Sequence, residues 1–355
     1  MTGPMARVSL TAVVVAHDSL DELRRSLPPL SAQLAPPDEL IVIDNASADG
    51  LAEALPSIAP EARLICTGAN VGFAAGANAG ARAAHGELLV LLNPDVLVEP
   101  GWSEAIRSPW DGEWAAWMAL VTLEDGLQIN TSGGVLHFTG LGWAGQVGRP
   151  LADAPARPAE VGFLSGACLA LPLQTWRQLD GFAEGFFMYC EDVDLSLRLR
   201  LSGGRLGVIP DARVRHRYEF AKGRYKWRLL ERNRWATILR TYPTSLLALT
   251  APALVMTELG IWVVAARDGW AKSKALATFD LVRALPGLLV QRRRIQATAR
   301  ISPSRFAEHL VATLDSPYFG AVGRQPLLRG TLRAYWRAVL ALLARLSGES
   351  ESVAG

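Results

Sequence analysis

Cysteine is scarce in this 355-residue chain. Cys66, Cys168 and Cys190 are its only three, too few and too scattered for a disulfide framework or a zinc cluster, and this favours a reducing compartment. Charged residues make up only 20% of the chain against 50% hydrophobic, so disordered and collagen-like classes are poor fits and a packed core follows. No secretory leader is visible: Arg7 precedes an apolar run, Thr11–Ala16, that is too short and has no cleavage pattern. A cytoplasmic start is therefore expected. Internal repeats, long low-complexity segments and the G-x-G-x-x-G dinucleotide fingerprint are all missing, which argues against repeat architectures and against a nicotinamide-dependent oxidoreductase.

Long apolar runs are also rare. A bilayer needs about 20 apolar residues, and Ser245–Ala266 is the one stretch of that length, yet it carries Pro252 near its start and Glu258 in its middle. We read it as an interfacial or buried helix rather than a span.

At roughly 150 residues per domain the length suggests about two domains. The net charge of +2 hides an asymmetry: residues 1–212 carry 12 Lys and Arg against 25 Asp and Glu, whereas 213–345 carry 24 against 7. An acidic front half suits a cation-holding site, and a basic rear half suits a phosphate-bearing or anionic-lipid partner, because local charge sets the attraction. On charge alone nucleic acid fits the rear half equally well.

The front half alternates short apolar strands with helical stretches. Val8–Ala16, Leu40–Asp44, Arg63–Cys66 and Glu87–Leu92 read as strands, with helices over Leu20–Leu34 and Gly50–Ile58 between them. This βαβ rhythm implies an α/β fold with a mainly parallel sheet. Gly72, Gly76 and Gly80 recur every four residues and would share one helix face, allowing close packing on the sheet. Residues 126–162 read as loops and hairpins, Ser165–Pro172 as a strand, Leu173–Leu179 and Val193–Leu201 as helices, and Arg205–Ile209 as a short strand before a turn at Pro210. Beyond His216 the pattern is helical, with Lys222–Arg240 basic, Ser245–Ala266 and Leu281–Val290 apolar, and Arg292–Arg294 after them. This alternation fits amphipathic helices on a membrane face, or an ordinary helical subdomain with solvated arginines.

Four clusters carry chemistry. Ile43–Gly50 ends a strand in Asp44 and turns through Asn45 and Asp49, the latter a natural helix cap. Asn70–Asn78 opens the glycine helix, and Asn93-Pro94-Asp95 stops a strand and leaves a carboxylate at its carboxyl end, where open α/β sheets bind ligands. Phe186–Asp194 sets Glu191, Asp192 and Asp194 behind an aromatic run. Carboxylates packed on aromatic surface gain proton affinity, and a helix N-terminus also attracts acids, so a general base and a cap are both open here.

The order and spacing of these clusters, in IDNASADG, NVGFAAGANAGARAAHGELLVLLNPD, FLSGACLALP and GFAEGFFMYCEDVDLSLRLR, with ERNR at 231–234 a weaker match, resemble inverting glycosyltransferases of the GT-A fold in family 2. The likeness is greatest to the bacterial rhamnosyltransferase-like branch and covers about residues 8–235. It implies a GT-A catalytic domain over 1–220 and a helical, basic and apolar region over 221–355. Asp44 would contact the nucleotide base or ribose of a sugar-nucleotide donor, with Asn45, Asn70, Asn78 and Asn93 also on the donor side. Asn93-Pro94-Asp95 stands where the family keeps its metal-binding D-x-D, so Asp95 would ligate Mg²⁺ or Mn²⁺ and His216 would complete the metal site. Asp192 matches the general base, and Glu191, Arg232 and Arg234 would meet the acceptor or its phosphate. The resemblance points first to a rhamnose donor linked to dTDP and a glycan or polyprenyl-diphosphate-linked acceptor, with another donor (galactofuranose, mannose or other hexose) or a catalytically silent nucleotide- or carbohydrate-binding module as the alternatives. The basic charge and apolar helices of the rear half add an anionic membrane surface on the cytoplasmic side, and no nucleic acid is expected.

Overall fold

The computed structural model describes residues 7–110, 112–217 and 225–348. The chain divides into two compact units, one of residues 1–133, 146–199 and 204–220, the other of 134–145, 200–203 and 221–355. In chain order the strands are β1 (Leu10–Ala16), β2 (Glu39–Asp44), β3 (Arg63–Cys66), β4 (Leu88–Leu92), β5 (Val96–Val98), β6 (Trp114–Leu123), β7 (Ile129–Thr131), β8 (Gly134–Leu136), β9 (Gly142–Ala144), β10 (Ala159–Glu160), β11 (Cys168–Pro172) and β12 (Arg205–His216). The helices of the first unit are α1 (Leu20–Ser31), α2 (Leu51–Ile58), α3 (Gly72–Ala83), α4 (Trp102–Arg107), α5 (Leu173–Gln178) and all but the last two residues of α6 (Glu191–Leu201).

Apolar, β-branched runs form the centre of the sheet. Every residue of β1 and β4 is buried, as expected for strands covered on both faces. The strand order is β10-β12-β6-β11-β4-β1-β2-β3, with β5 added beside β12 and β7 beside β6. β1 pairs in parallel with both β2 and β4, and β2 with β3. The chain thus steps outward from β1 to β3 and then returns to the other flank of β1. That reversal opens a crevice at the carboxyl ends of β1 and β4, the usual ligand position in such sheets. β11 enters antiparallel between β4 and β6, so the sheet is mixed with a mainly parallel core. The short strands β7 and β10 and the β8–β9 hairpin of the second unit fill the segment read as loops and hairpins.

Two glycines of α3 touch β1 as their spacing implies. A Cβ at Gly76 would come within 2.7 Å of Val15 Cγ1, and one at Gly80 would collide with Val13. Gly72 faces Phe187 instead, where a Cβ would approach the ring within 2.5 Å, and its φ of +83° is itself a glycine conformation.

Sequence reading goes wrong at Pro210. The strand expected to stop at Ile209 runs on to His216, because a register shift against β6 between Ile209 and Arg213 accommodates the proline. A bulge tolerates a residue without an N–H.

The second unit holds α7 (Tyr225–Thr241), α8 (Thr244–Arg267), α9 (Ala271–Ala297), α10 (Pro303–Ala307), α11 (Gly320–Arg324) and α12 (Pro326–Leu346). The helix expected from Lys222 is described from Tyr225; residues 218–224 lie outside the described residues. Phe138, after β8, stacks on Trp336 of α12 with ring centroids 4.7 Å apart. A buried ionic cluster ties three helices together. Arg234 of α7 lies 2.9 Å from both Glu231 and Glu258, and Lys274 of α9 lies 2.6 Å from the same two carboxylates. Burial alone would raise the proton affinity of Glu231, but Arg234 and Lys274 beside it hold its pKa below the ordinary value.

Candidate active site

The first unit gathers its polar residues at the carboxyl edge of the sheet. Asp44 closes β2 with its carboxylate largely buried, and Oδ1 accepts the N–H of Ser47 at 2.8 Å. Asn45 donates to Asn70 Oδ1 at 3.0 Å and accepts the Val71 N–H at 2.9 Å, and Asn70 in turn accepts the Gly72 N–H. These two amides therefore weld the end of β2 to the start of α3. Asp49 is a cap, as its local sequence suggests, but its shorter bond is to the Leu20 N–H at 2.8 Å, so it caps α1. That contact joins positions 29 apart in sequence, beyond what local capping preference can specify.

The turn after β4 carries Asp95, the first of the two candidate metal ligands. Ser26 of α1 donates to the Pro94 carbonyl at 2.7 Å and holds this turn from below. β5 then pairs antiparallel with the end of β12, in register at Val96 and His216. The pairing brings His216 Nε2 to 3.2 Å from Asp95 Oδ1, both side chains mostly buried. Adjacent ligands on a six-coordinate cation with bonds of about 2.0–2.1 Å lie about 3 Å apart, so the pair fits one divalent ion through a hard oxygen and an imidazole nitrogen. Among the described residues no group of three or more His, Cys, Asp and Glu could hold a metal. Two protein ligands leave the rest of such a shell to water and phosphate oxygens.

Asp192 lies in the first turn of α6, where Oδ2 accepts the N–H of Gly166 at 3.0 Å and Oδ1 that of Val193 at 2.8 Å. Gly166 precedes β11, and the next residue, Ala167, accepts the N–H of Asn93 at 3.0 Å. Asp192 and the Asn93–Asp95 turn are thus linked across the β4–β11 pairing. Burial raises the pKa of Asp192, while the Gly166 and Val193 N–H groups pull the other way. Glu191 is raised well above the ordinary range, by burial first and then by the charge of Asp192. Asp194 points elsewhere: it is fully buried, accepts from Arg198 at 2.7 Å, and Arg198 also binds the carbonyls of Leu179 and Gly181.

The segment entering α6 is strained. Phe187, Tyr189 and Cys190 have φ of +64°, +69° and +64°, a region that costs a non-glycine residue of order 1–3 kcal/mol. Helix α3 restrains the segment at separate points. Ala74 N–H donates to the Phe187 carbonyl at 3.0 Å, and Asn78 clamps Phe182 reciprocally, donating to its carbonyl and accepting its N–H, both at 2.9 Å. Asn78 also donates to Glu184 at 3.1 Å. Both amide hydrogens are spent, so Asn78, expected on the donor side, serves here as a brace for the acidic turn. Asn78→Ala is expected to cost about 1–3 kcal/mol of stability through the orphaned Phe182 groups. Denaturant unfolding and donor KM distinguish the roles, since a donor contact would raise KM with stability unchanged.

The expected residues therefore sort into separate places. Asp95 and His216 touch, Asn93 and Asp192 are joined through Gly166-Ala167, and Asp44, Asn45 and Asn70 gather at the end of β2, on the far side of β1 from β4. Arg232 and Arg234 belong to the second unit, where Arg234 is buried against Glu231 and Glu258 and Arg232 Nε donates to Asn233 at 2.8 Å. This commits Arg234 to the helical scaffold. Sequence reading missed the Gly166 amide, whose only mark was a glycine ahead of an apolar strand in FLSGACLALP.

The sheet thus carries acidic side chains and an imidazole at its switch-point edge, where open α/β sheets bind ligands. The Glycosyl transferase family 2 model matches residues 11–131, and the Glycosyl transferase family group 2 model matches 151–307. The N-acetylglucosaminyl-diphospho-decaprenol L-rhamnosyltransferase of Mycobacterium tuberculosis is 31% identical over 244 residues, 61% of this chain and 78% of that protein. Rhamnosyltransferase WbbL of Escherichia coli is 36% identical over 75 residues, 19% of this chain and 28% of WbbL. A crystal structure of GalNAc-T7 with UDP, GalNAc and Mn²⁺ superposes with a TM-score of 0.56 at 16% identity, over 70% of this chain and 51% of that one; this likeness speaks for the fold. The chain belongs to glycosyltransferase family 2. Within the family it falls in the rhamnosyltransferase-like branch.

Proposed function

We propose that this glycosyltransferase moves rhamnose from dTDP-rhamnose to a polyprenyl-diphosphate-linked glycan at the cytoplasmic face of the membrane, inverting the anomeric carbon. The observation that carries the reading is the junction of Asp192 with the Asn93–Asp95 turn through Gly166-Ala167, which supports pairing Asp192 as base with Asp95 and His216 as metal ligands. The printed activity of the mycobacterial relative supports the choice of sugar and acceptor class.

In this reading Asp44 and the Asn45–Asn70 weld shape the floor for the nucleoside, and Asp95 and His216 hold Mg²⁺ or Mn²⁺. The ion supplies positive charge against the diphosphate that leaves. Asp192, held by two backbone N–H groups, takes the proton from the acceptor hydroxyl as that oxygen attacks the anomeric carbon, a contribution of about 10²–10⁴-fold. Attack from the face opposite the departing diphosphate inverts the centre in one displacement.

A base works only when ionised, and burial raises the pKa of Asp192 from its ordinary 3.8. Activity should therefore be lost, as pH falls, at values above the ordinary aspartate range. A pH profile of kcat/KM whose acid limb lies at or below 3.8 would count against Asp192 as the base. The donor is tested with a panel of nucleotide sugars read by mass spectrometry. Rhamnosyl transfer from dTDP-rhamnose is expected; transfer from another donor alone corrects the sugar, and no transfer from any donor removes the proposal.

A further inference from the structure

Helix α8 is built inside out. Its inward stripe includes the buried Leu246, Thr250, Leu254 and Ala265 together with Glu258, whose carboxylate meets Arg234, Lys274 and the Trp235 indole N–H. Its outward stripe is apolar: Val255, Met256, Leu259 and Val263 are 56–69% exposed. Only 11% of its most apolar window is buried, at a mean hydropathy of 1.8. Helix α9 also exposes apolar side chains, Phe279 and Val282, each 63% exposed. Water-facing apolar area on this scale marks a docking face.

The charge around the face selects its occupant. Helices α8 and α9 and the turn between them hold seven Lys and Arg against three Asp and Glu, and Lys272, Arg283, Arg293 and Arg294 are exposed. Apolar side chains rimmed by lysine and arginine match an anionic bilayer, whose interior takes the former and whose phosphates take the latter. At about 1.5 Å per residue α8 is long enough to cross the hydrocarbon core, but crossing would pull Glu258 away from Arg234 and Lys274 or drag the basic α7 into lipid, both costly.

We infer that the α8–α9 hairpin lies in the headgroup region of an anionic membrane with its outward face inserted, and that Glu258, pinned inward, keeps α8 from spanning. This rests on the membrane placement proposed above and adds the surface and mode of attachment. The full chain should float with sealed phosphatidylglycerol vesicles, bind phosphatidylcholine vesicles weakly, and dissociate at high salt. Leu259→Glu and Phe279→Glu should each weaken binding about tenfold or more, and Arg293→Ser with Arg294→Ser about 25-fold. All should keep their circular dichroism and their transfer to a short-chain, water-soluble acceptor. Membranes from expressing cells should release the protein in alkaline carbonate.

Retention in carbonate would mean that α8 spans, and would overturn the inference while leaving membrane placement intact. Equal binding by wild type and the glutamate variants, or a dimer that Leu259→Glu dissociates without change in flotation, would give the face to another occupant and overturn it too. Flotation with neither lipid would remove membrane placement itself, while transfer to the soluble acceptor separately reports on catalysis.

Discussion

Asp192→Asn is expected to abolish transfer while sparing the fold. The amide keeps the size of the carboxylate and one oxygen to accept the Gly166 or Val193 N–H, but it cannot take a proton. Turnover should fall by about 10²–10⁴-fold, with the unfolding transition and donor affinity by calorimetry close to wild type. Loss confined to turnover identifies a group that acts in the transition state. Full activity in this variant would leave the buried acid as a helix cap. The substitution also removes the negative charge that raises Glu191, so the second carboxyl should become easier to ionise.

Asp95→Ala should have a comparable effect by another route. It removes the hard oxygen of the Asp95–His216 pair and leaves the imidazole of β12 as the remaining member of that pair. Loss of a group that merely orients a metal ligand costs about 10–100-fold in affinity, so loss of the ligand itself should exceed this. Free Mn²⁺ measured by electron paramagnetic resonance, with and without the nucleoside diphosphate, reads the effect independently of catalysis. His216→Ala should weaken binding less, because the neutral ring gives no charge to the cation. Unchanged Mn²⁺ affinity in both variants would remove the metal from this turn.

Much of this architecture was legible in the sequence, and the reasons differ by element. β1, β2 and β4 announce themselves as short β-branched or leucine-rich runs between helical stretches, and the glycines at 76 and 80 mark the face of α3 that meets β1. β6 escaped notice. Trp114–Leu123 mixes alanine, methionine and tryptophan and is almost wholly buried, so it lacks the alternation that separates a strand from a buried helix. The apolar run Leu281–Val290 is only the middle of α9, which begins at Ala271 after the Asp268–Trp270 turn and packs along α7.

At the site, Asp95 and His216 stand 121 positions apart in the chain, and only the pairing of β5 with β12 brings them together. Local pattern marks Asp95 at a strand's carboxyl end but contains no such register; only the resemblance joined it to His216. The Gly166 amide and the Asn78 brace are backbone-directed contacts, and a side-chain motif cannot report where a main-chain N–H will point. The buried pairing of Glu258 was invisible for a related reason: its partners lie on two other helices.

The antiparallel insertion of β11 has a consequence for how such enzymes diversify. Under the roles proposed above, one ladder carries the support of the proton acceptor at one end and adjoins the cation turn across a single hydrogen bond, so the two are mechanically one part. A lineage that keeps this ladder would keep its chemistry in register while segments outside it vary.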